Sequence, residues 1–488
     1  MTSVTCYGGV GEIGGNKILV SHNNTNVFLD FGMSFNKNGY FFSEFLQPRK
    51  CSGLQDFFEL GLLPDLKGIY RTDYLRHMGR SEEKRGVDAV FLSHAHADHA
   101  QYIHFLRKDI PIYGTKESKR ILSVLQETGT DQFGELLTTC EAFTFYTTRN
   151  ETLSRVTKKQ QDFVQQRQFH VMNEHQPVHL NDFTVEMIPV DHSLPGACGF
   201  LLSTESNHIV YTGDIRFHGY HASKSKQFIE KASAQPVDCL ICEGTRIEKK
   251  TKDSEQQVQQ TISNYISKAT GLVFVEHPIR DLDRTRTMYQ AAKENKRTFA
   301  VTLKLAYLLQ SFEDYAPFSL DDVAILVPRK SWGLITHDDL CSSLVEKDYA
   351  TWERSFIDRK NAITYLDLQK NPQQYVVSMN IWEIKQLIDI KPKDAIWIKS
   401  SCEPFNEEME IDEERKRHWL QHFNVAEYSA HASGHASGVE LIDLIKEINP
   451  KKLIPVHTQY PQRFNDISEK LGGSIKVIQP QYGKSIII

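Results

Sequence analysis

Short segments in which hydrophobic and polar residues alternate occur at the start of the chain, as expected for half-buried β-strands. Val4 to Tyr7, Lys17 to Ser21 and Asn26 to Asp30 have this pattern, and a turn at Asn23-Asn24 separates the last two. The pattern returns farther along, where we predict strands at Phe183 to Val190, Cys198 to Ser203, His208 to Thr212 and Val237 to Cys242. Much of the first 245 residues is therefore predicted to be β structure.

From about residue 246 the pattern changes to one of alternating helices and strands. Helical periodicity at Glu255 to Thr270 and at Asp281 to Asn295 flanks an apolar strand at Gly271 to Glu276. Alternation of this kind predicts a separate α/β domain with a mostly parallel sheet. Clusters of histidine lie before and after this block, so we predict that residues 246–420 are inserted into one domain made of residues 1–245 and 421–488.

Composition limits the class of protein. The 488 residues suffice for two or three domains, and 40% hydrophobic with 24% charged residues is an ordinary globular balance. No apolar run approaches the roughly 20 residues that span a bilayer, and no export signal is evident, so we expect a cytoplasmic protein without a membrane partner. The eight scattered cysteines, Cys341 among them, are expected to be reduced thiols. Because the net charge of the protein is −5, binding of a nucleic acid would need a local basic groove or bound metal.

The strongest chemical signal is the segment His94-Ala95-His96-Ala97-Asp98-His99, which follows an apolar strand predicted at Asp88 to Leu92. Imidazole and carboxylate are ligands that Zn(II) prefers. The first two histidines would face one ion, and the final Asp-His pair would face a second ion roughly 3.5–4 Å away. A histidine-rich surface loop is the alternative, but four ligand-type residues in six positions after a buried strand favour a metal site.

Two further candidate ligands each follow a predicted strand. His192 comes after the strand that ends at Val190, and Asp214 comes after the strand that ends at Thr212. A single residue of this kind is more often a satisfied polar group than a ligand. Their order after the histidine cluster, each at the carboxyl end of a β segment, nevertheless favours His192 as a ligand of the first ion and Asp214 as a bridge.

The order of these residues resembles the motif series of the metallo-β-lactamase superfamily, in which Asp30 of Leu29-Asp30-Phe31-Gly32 would be the first motif. Three later segments resemble motifs of the β-CASP nucleases: Cys242-Glu243-Gly244-Thr245, Ser433-Gly434-His435-Ala436 and Pro455-Val456-His457. The opening Gly8-Gly9-Val10-Gly11-Glu12-Ile13-Gly14 is most similar to the ribonuclease J group. The resemblance covers both ends of the chain and is weak in the middle. It implies an α/β fold, a metallo-β-lactamase αββα sandwich with an inserted β-CASP domain.

The resemblance also implies a ligand set and a reaction. Two Zn(II) ions, with Mn(II) as the alternative, would hold a bridging hydroxide that attacks the phosphorus atom in line. One ion would be bound by His94, His96 and His192. The other would be bound by Asp98, His99 and His457, with Asp214 between the two ions.

Other residues would act around the ions. Asp30 would orient the ligand loop, and His435 would contact the scissile phosphate, stabilise developing charge or protonate the leaving oxygen. Glu243 would support the His435 region. The predicted catalytic set is therefore Asp98, His435, Asp30 and Glu243, and the predicted substrate contacts are His435, Arg284 and Ser433.

The chain departs from the ribonuclease J pattern at several positions. Ser93 stands where the group has Thr, and Thr458-Gln459 follow the last motif instead of Gly-Glu. Ser400-Ser401-Cys402-Glu403-Pro404 replaces a Gly- and Ser-rich phosphate-binding turn, which leaves recognition of a 5′-phosphate end unassigned. Residues 36–86, predicted to be irregular with short helices, and the polar residues 128–175 are additions. An oligomer is compatible with the sequence but is not implied by it.

Two weaker patterns have simpler explanations. Gly9-x-Gly11-x-x-Gly14 matches a dinucleotide-binding fingerprint, but a predicted strand follows it where that motif requires a helix. Cys239-x-x-Cys242 lies in an apolar strand without a second pair, as expected for core cysteines. Neither pattern supports a separate binding site.

Three arginines begin a helix of the middle domain: Arg280, Arg284 and Arg286. They either bind phosphates or belong to an ordinary solvent-exposed face of the helix, and Arg284 is the best candidate for a substrate contact. His431, near His435, has either a role in the site or a structural one. The sequence leaves both alternatives open.

Three functions compete for this set of motifs. A metal-dependent β-CASP nuclease that cleaves single-stranded RNA, as an exo- or endonuclease, uses them all, and a DNA-directed nuclease is a close variant. A small-molecule metallohydrolase, such as a lactonase, thioesterase or β-lactamase, needs neither the inserted domain nor His435. The complete ligand set disfavours a non-catalytic scaffold. The sequence thus predicts hydrolysis of phosphodiester bonds in a nucleic acid, with RNA favoured over DNA.

Overall fold

The computed structural model describes residues 1–43, 45–129, 133–158, 160–252, 254–316, 318–333, 342–404 and 407–488. The chain forms two compact units. The first unit contains Met1–Lys252 and Gly434–Ile488, and the second contains Asp253–Ser433. The predictions for Cys341 and for parts of the two additional segments, residues 44, 130–132 and 159, fall outside the described residues.

The first unit contains two seven-stranded sheets. In spatial order, the strands of the first sheet are Phe169–Val171, Ile112–Gly114, Ala89–Phe91, Thr25–Leu29, Ile18–His22, Thr2–Cys6 and Ser485–Ile487. Those of the second sheet are Val178–Leu180, Phe183–Pro189, Cys198–Ser203, His208–Tyr211, Cys239–Cys242, Lys452–Pro455 and Lys476–Val477. The returning part of the chain therefore adds strands to both sheets.

The alternation of side chains along the strands explains how the layers pack. Phe200 and Leu202 belong to a core cluster that also contains Val4 and Val27 of the first sheet, so the two sheets share one core. Leu201, on the opposite face of the same strand, belongs to a cluster with residues of the helices that cover the second sheet. This arrangement confirms the predicted α/β sandwich.

The helices of the first unit are Phe35–Phe41, Gln55–Glu59, Thr72–His77, Ala97–Ala100, Lys116–Thr128, Ala222–Ala232, Gly438–Ile448 and Arg463–Lys470, with 3-10 turns at Gln101–Phe105 and Gln161–Phe163. Two small antiparallel two-stranded sheets pair Thr138–Cys140 with Val164–Gln166 and Phe145–Thr147 with Leu153–Arg155. Residues 36–86 contain short helices, as predicted. The helix Gly438–Ile448, which follows the segment Ser433-Gly434-His435-Ala436, begins at a capping box, in which the side chains of Ser437 and Glu440 accept hydrogen bonds from each other's backbone N–H groups.

The second unit is built around one sheet whose described strand pairs are all parallel. Its strands, in spatial order, are Ala362–Ile363, Ala324–Leu326, Thr298–Thr302, Tyr375–Ser378, Val273–Glu276, Ile396–Lys399 and Ala426–Ser429. Its helices are Glu255–Lys268, Leu282–Glu294, Leu303–Ser311, Ser342–Asp348, Thr351–Ile357, Tyr365–Lys370, Leu387–Ile390 and Glu407–His422, with 3-10 turns at Leu320–Asp322, Pro372–Gln374 and Ile384–Gln386. The predicted parallel α/β arrangement is therefore confirmed.

None of the described helices combines the length and apolar character needed to cross a membrane. The seven cysteines within the described ranges are free thiols, and Cys239 and Cys242 are buried in a strand of the second sheet.

Candidate metal centre

The candidate ligands of the first unit lie directly after strands. Strands His208–Tyr211, Cys239–Cys242 and Lys452–Pro455 are parallel neighbours in the second sheet. The carboxyl ends of parallel strands meet at one edge of a sheet, which is where ligand sites of α/β folds lie. Asp214, Glu243 and His457 follow these three strands, and the topology thus brings residues far apart in the sequence to one place.

The Oδ2 atom of Asp214 lies at the centre of a ring of imidazoles. The distances from this atom to the Nε2 atoms are 3.2 Å for His99, 3.6 Å for His94, 3.7 Å for His457 and 3.8 Å for His192. All five side chains are at least 95% buried. A buried carboxylate among four imidazoles is a donor set that suits a divalent cation.

Three groups of described side chains could hold an ion: two consist of predicted ligands, and the third joins Asp214 to Glu243 and His435. The first group contains His94, His96, His192 and Asp214, and Nδ1 of His96 lies 2.9 Å from Nε2 of His94 and 3.2 Å from Nε2 of His192. The second group contains Asp98, His99 and His457. Oδ2 of Asp98 lies 3.1 Å from Nε2 of His457. The structure thus brings all seven predicted ligands together, and their grouping follows the predicted one.

Each of four histidines is held at its Nδ1 atom by a protein group, which leaves Nε2 directed at the centre. The partners are Ser93 Oγ at 3.0 Å for His94, Asp30 Oδ2 at 2.8 Å for His99, Gly434 O at 2.5 Å for His192, and Thr245 Oγ1 at 2.8 Å for His457. Partners of this kind fix the tautomer and ring orientation of metal-binding histidines. Of the side chains that orient ligands, the sequence predicted only Asp30.

Asp30 organises the loop that carries the histidine cluster. Its two carboxylate oxygens accept hydrogen bonds from the backbone N–H and the hydroxyl of Ser93, both at 2.7 Å, and from the hydroxyl of Tyr211 at 2.7 Å. The same carboxylate contacts His99, so three segments of the unit meet on one buried side chain. Nothing in the sequence around Tyr211 signals this contact.

The residues present fit a divalent cation. Within the described part of the chain, Nε2 of His99 and Oδ1 of Asp214 are buried without a hydrogen-bond partner. Such atoms cost free energy unless a cation or another partner compensates them. Burial lowers the pKa of His192 to about 3, which keeps this imidazole neutral and able to bind a metal. The clustered nitrogen and oxygen donors are those of zinc sites.

The raised pKa of His99 also indicates that a positive charge is favoured at this site. Burial by itself lowers this pKa, yet the carboxylates of Asp214, Asp30 and Asp98 raise it well above its usual value. Three carboxylates buried around one imidazole therefore favour a cation at this position, either a proton or a metal ion.

His435 lies beside the ligands and is paired with Glu243. Its Nδ1 atom is 3.1 Å from both carboxylate oxygens of Glu243, which also accept hydrogen bonds from the backbone N–H groups of Ile215 and Thr245. Burial lowers the pKa of His435, but Glu243 and Asp214 outweigh that effect and raise it to about 9. The ring centroid lies 5.1 Å from that of His192, so a cationic imidazole stands next to the first ligand group.

The glycine-rich segment 8–15 packs against the second ligand group. A Cβ atom on Gly14, whose φ is +79°, would lie 2.7 Å from the side chain of Asp98. The backbone N–H of Asn16 donates to the carbonyl of Asp98 at 3.0 Å, and that of His457 donates to the carbonyl of Gly9 at 2.9 Å. The next element after this segment is the strand Ile18–His22, which agrees with the rejection of the dinucleotide fingerprint.

The remaining predicted substrate contacts belong to the second unit. Arg284 is only 1% exposed, so the solvated-face alternative is wrong for this residue. Its guanidinium bonds protein groups, and contact with a substrate would require these bonds to be exchanged. Ser433 is half-buried, and its role stays a prediction. His431 lies 3.2 Å from Arg284, from its Nδ1 atom to Nη1.

Comparison with known proteins adds independent findings. Residues 425–478 match the family model RMMBL, described as the Zn-dependent metallo-hydrolase RNA specificity domain. The chain is 22% identical over 471 residues to ribonuclease J of Helicobacter pylori (strain J99 / ATCC 700824), with 94% of this chain and 56% of that protein covered. It is 24% identical over 485 residues to ribonuclease J of Mycobacterium tuberculosis (strain ATCC 25618 / H37Rv), with 98% and 72% covered.

A solved structure supports the fold. It is titled a protein of unknown function from Enterococcus faecalis V583, and it aligns over 100% of both chains with a TM-score of 0.72 and 23% identity. The chain spans 56% of the length of the Helicobacter relatives that it matches. The clustered ligands and the matched domain together support binding of divalent metal. The matched domain and the relatives together support a metallo-β-lactamase, β-CASP family assignment similar to ribonuclease J.

Proposed function

We propose that the protein is a metal-dependent β-CASP nuclease that hydrolyses phosphodiester bonds of single-stranded RNA with two Zn(II) ions. The observation that carries this proposal is the position of Asp214, whose Oδ2 atom has the Nε2 atoms of four histidines within 3.2–3.8 Å. One carboxylate between two sets of imidazoles supports a hydrolytic site for two ions.

The two ligand groups would each hold one ion, His94, His96 and His192 on one side and Asp98, His99 and His457 on the other, with Asp214 shared. Bound ions would neutralise phosphoryl charge and acidify a water enough to make it a nucleophile near neutral pH. The chain's own contribution is to fix the imidazole orientations through Ser93, Asp30, Gly434 and Thr245. Mn(II) is the alternative ion, because the same donors accept it.

His435 would supply a positive charge and a proton to the departing oxygen. Its pairing with Glu243 holds Nδ1, so the opposite ring nitrogen is the one that would face the substrate. A cationic imidazole stabilises charge that develops on a phosphoryl oxygen and can donate its proton to the leaving alkoxide. Glu243 would orient the ring and keep it protonated, and it would not contact the substrate itself.

RNA is favoured as the substrate by the comparisons. The matched domain, whose description names RNA specificity, covers residues 425–478 and so includes both His435 and His457. The relatives that match over most of this chain are named ribonuclease J. A small-molecule hydrolase would use the same ligands but would need no counterpart of His435.

The test is cleavage of end-labelled single-stranded RNA and DNA of matched sequence, alongside a lactone and a thioester, with Zn(II) or Mn(II) added. We expect RNA to be cleaved, and the product ladder to distinguish exonuclease from endonuclease action. His435→Gln should retain its metal and lose about 10²–10⁴-fold in rate, the usual contribution of a general acid. His179→Gln, a change of an exposed histidine in the same unit, is the matched control and should leave the rate unchanged. Hydrolysis of only the small esters would refute the proposal.

A further inference from the structure

Arg284 forms a buried ion pair that the proposed reaction does not use. It lies in the first turn of helix Leu282–Glu294, where the side chain of Asp281 accepts a hydrogen bond from its backbone N–H. Its Nη2 atom is 2.8 Å from Oε1 of Glu255, which lies at the start of helix Glu255–Lys268. Arg284 is 1% exposed and Glu255 is 3% exposed.

A buried pair of this kind is a weak source of stability, because desolvation of both charges offsets their attraction. Apolar residues of similar volume often stabilise a core equally well. A guanidinium group also forms directional hydrogen bonds, because its N–H donors lie in one rigid plane and fix the positions of the groups that accept from them. The remaining partners of Arg284 therefore indicate what the pair orients.

Those partners belong to one short segment and to the residue on which that segment rests. Nη2 of Arg284 donates to the carbonyl of Ala432 at 3.1 Å, and Nη1 bonds the side chain and the carbonyl of Ser400. The hydroxyl of Ser400 in turn donates to the carbonyl of Ala430 at 2.6 Å. Residues 430–432 are thus fixed at two carbonyls, directly and through Ser400.

The same stretch of chain continues into the first unit and is fixed again there. The carbonyl of Gly434 lies 2.5 Å from Nδ1 of His192, and the backbone N–H of Ala436 donates to the carbonyl of Ile215 at 2.7 Å. His435 stands between these two anchors and three residues after Ala432. Loss of the hydrogen bond to the carbonyl of Ala432 would loosen the backbone on the N-terminal side of His435. The backbone on its C-terminal side would stay fixed through Ala436.

We propose that Arg284, held by Glu255, is a positioning residue for His435 and acts by fixing the carbonyl of Ala432. This inference rests on the proposed function, and it replaces a direct contact of Arg284 with substrate. Its consequence is specific: changing Arg284 disturbs the step that needs the His435 proton and leaves the metal ligands in place.

Two phosphodiester substrates separate this role from general structural damage. The alkoxide leaving group of RNA needs a proton, whereas the p-nitrophenolate of bis(p-nitrophenyl) phosphate departs without one. Arg284→Lys keeps the charge but loses the fork. We expect it to lower kcat on RNA by about 10- to 100-fold, the effect of a misplacement near 1 Å, with KM and metal content unchanged. On the activated ester its rate should stay within about 2-fold of the unsubstituted protein, because His435 assists that reaction little.

Two further variants test whether misfolding explains a loss of kcat on RNA in Arg284→Lys. Glu255→Gln retains a hydrogen-bonding group opposite Arg284 while removing the charge, and it should give the same pattern with a smaller loss. Arg297→Lys is the matched control, because Arg297 also donates to backbone carbonyls of the second unit, those of Ala269 and Gly271. It should leave both rates unchanged.

The outcomes are distinguishable. A selective loss of kcat on RNA in Arg284→Lys and Glu255→Gln, with Arg297→Lys unaffected, supports the positioning role. Equal losses on both substrates would show a structural role, and a rise in KM on RNA at constant kcat would show direct substrate contact; either result overturns the inference. If the unsubstituted, metal-loaded protein cleaves no RNA, the proposed function fails first, and the role of Arg284 fails with it.

Discussion

Oδ2 of Asp30 lies 2.8 Å from Nδ1 of His99, and both side chains are fully buried. Asp30 is not among the residues that could hold an ion, yet it fixes the ring of one that could. It also bonds Ser93, whose hydroxyl lies 3.0 Å from Nδ1 of His94. One carboxylate therefore orients histidines of both ligand groups.

Asp30→Asn should weaken metal binding without unfolding the protein. Asparagine has the same shape and tolerates the left-handed backbone at this position, where φ is +59°. We expect metal affinity to fall about 10- to 100-fold, as for other partners of metal-bound histidines. Competition with a chromogenic zinc chelator measures this affinity. Asp182→Asn, which changes a carboxylate that bonds Thr25, is the control, and an equal loss there would contradict the account.

Gly14→Ala should selectively disturb the second ligand group. The new Cβ would lie 2.7 Å from the Asp98 side chain, whereas Gly11, which also has a positive φ, has nothing within 4 Å. Both substitutions strain the backbone, so the difference between them reports the clash alone. We expect Gly14→Ala to bind less metal than Gly11→Ala by elemental analysis at matched folded content. Equal metal content in the two variants would show that the loop does not position Asp98.

The two ligand groups should lose their ions independently. His192→Ala removes a ligand of the first group and His457→Ala removes one of the second. We predict that the unsubstituted protein binds about two ions and each variant about one, because separate ligand sets hold them. Metal per folded chain, measured by mass spectrometry of the native protein, checks this. A single ion in the unsubstituted protein would contradict the two-ion interpretation.

Lys17 should make stability rise with pH. Burial lowers its pKa to about 7 in the folded protein, where its amino group donates to the carbonyls of Gly15 and Gly32. Between that value and the 10.5 of an exposed lysine, the unfolded chain binds more protons than the folded one, so folding becomes more favourable as pH increases. Lys17→Met should lack this rise.

Urea denaturation at several pH values from about 7 to about 10 measures the effect. The unfolding midpoint of the unsubstituted protein should increase across this range relative to that of Lys17→Met. Lys476→Met, at an exposed position, should follow the unsubstituted protein. Parallel curves for Lys17→Met and the unsubstituted protein would show that Lys17 is not the titrating group.

The ligands could be predicted from the sequence because each is a metal-binding residue type directly after an apolar strand. Two helices of the middle block, Glu255–Lys268 and Leu282–Glu294, also begin and end within two residues of the predicted limits. Their limits could be predicted because the spacing of apolar residues within each segment is by itself typical of a helix. The sequence did not reveal the partners of the ligands. Gly434 bonds His192 through a backbone carbonyl and Thr245 bonds His457 from more than 200 residues away, and neither contact leaves a pattern of residue types.

The environment of Arg284 was also inaccessible to sequence reasoning. Three arginines near the start of one helix are typical of an exposed, basic face. Burial of Arg284 depends on Glu255 from another helix and on the carbonyl of Ala432, which are 29 and 148 residues away. Only the assembled second unit shows that its charge is internally paired.

The most direct test of the central claim is to measure bound metal and RNA cleavage in the same preparations of the unsubstituted protein and Asp214→Asn. The substitution keeps the shape of the side chain at the centre of the ligands but removes its charge. The account predicts that Asp214→Asn loses bound metal and cleavage of end-labelled single-stranded RNA together, while the unsubstituted protein has both. Undiminished RNA cleavage by Asp214→Asn would contradict it.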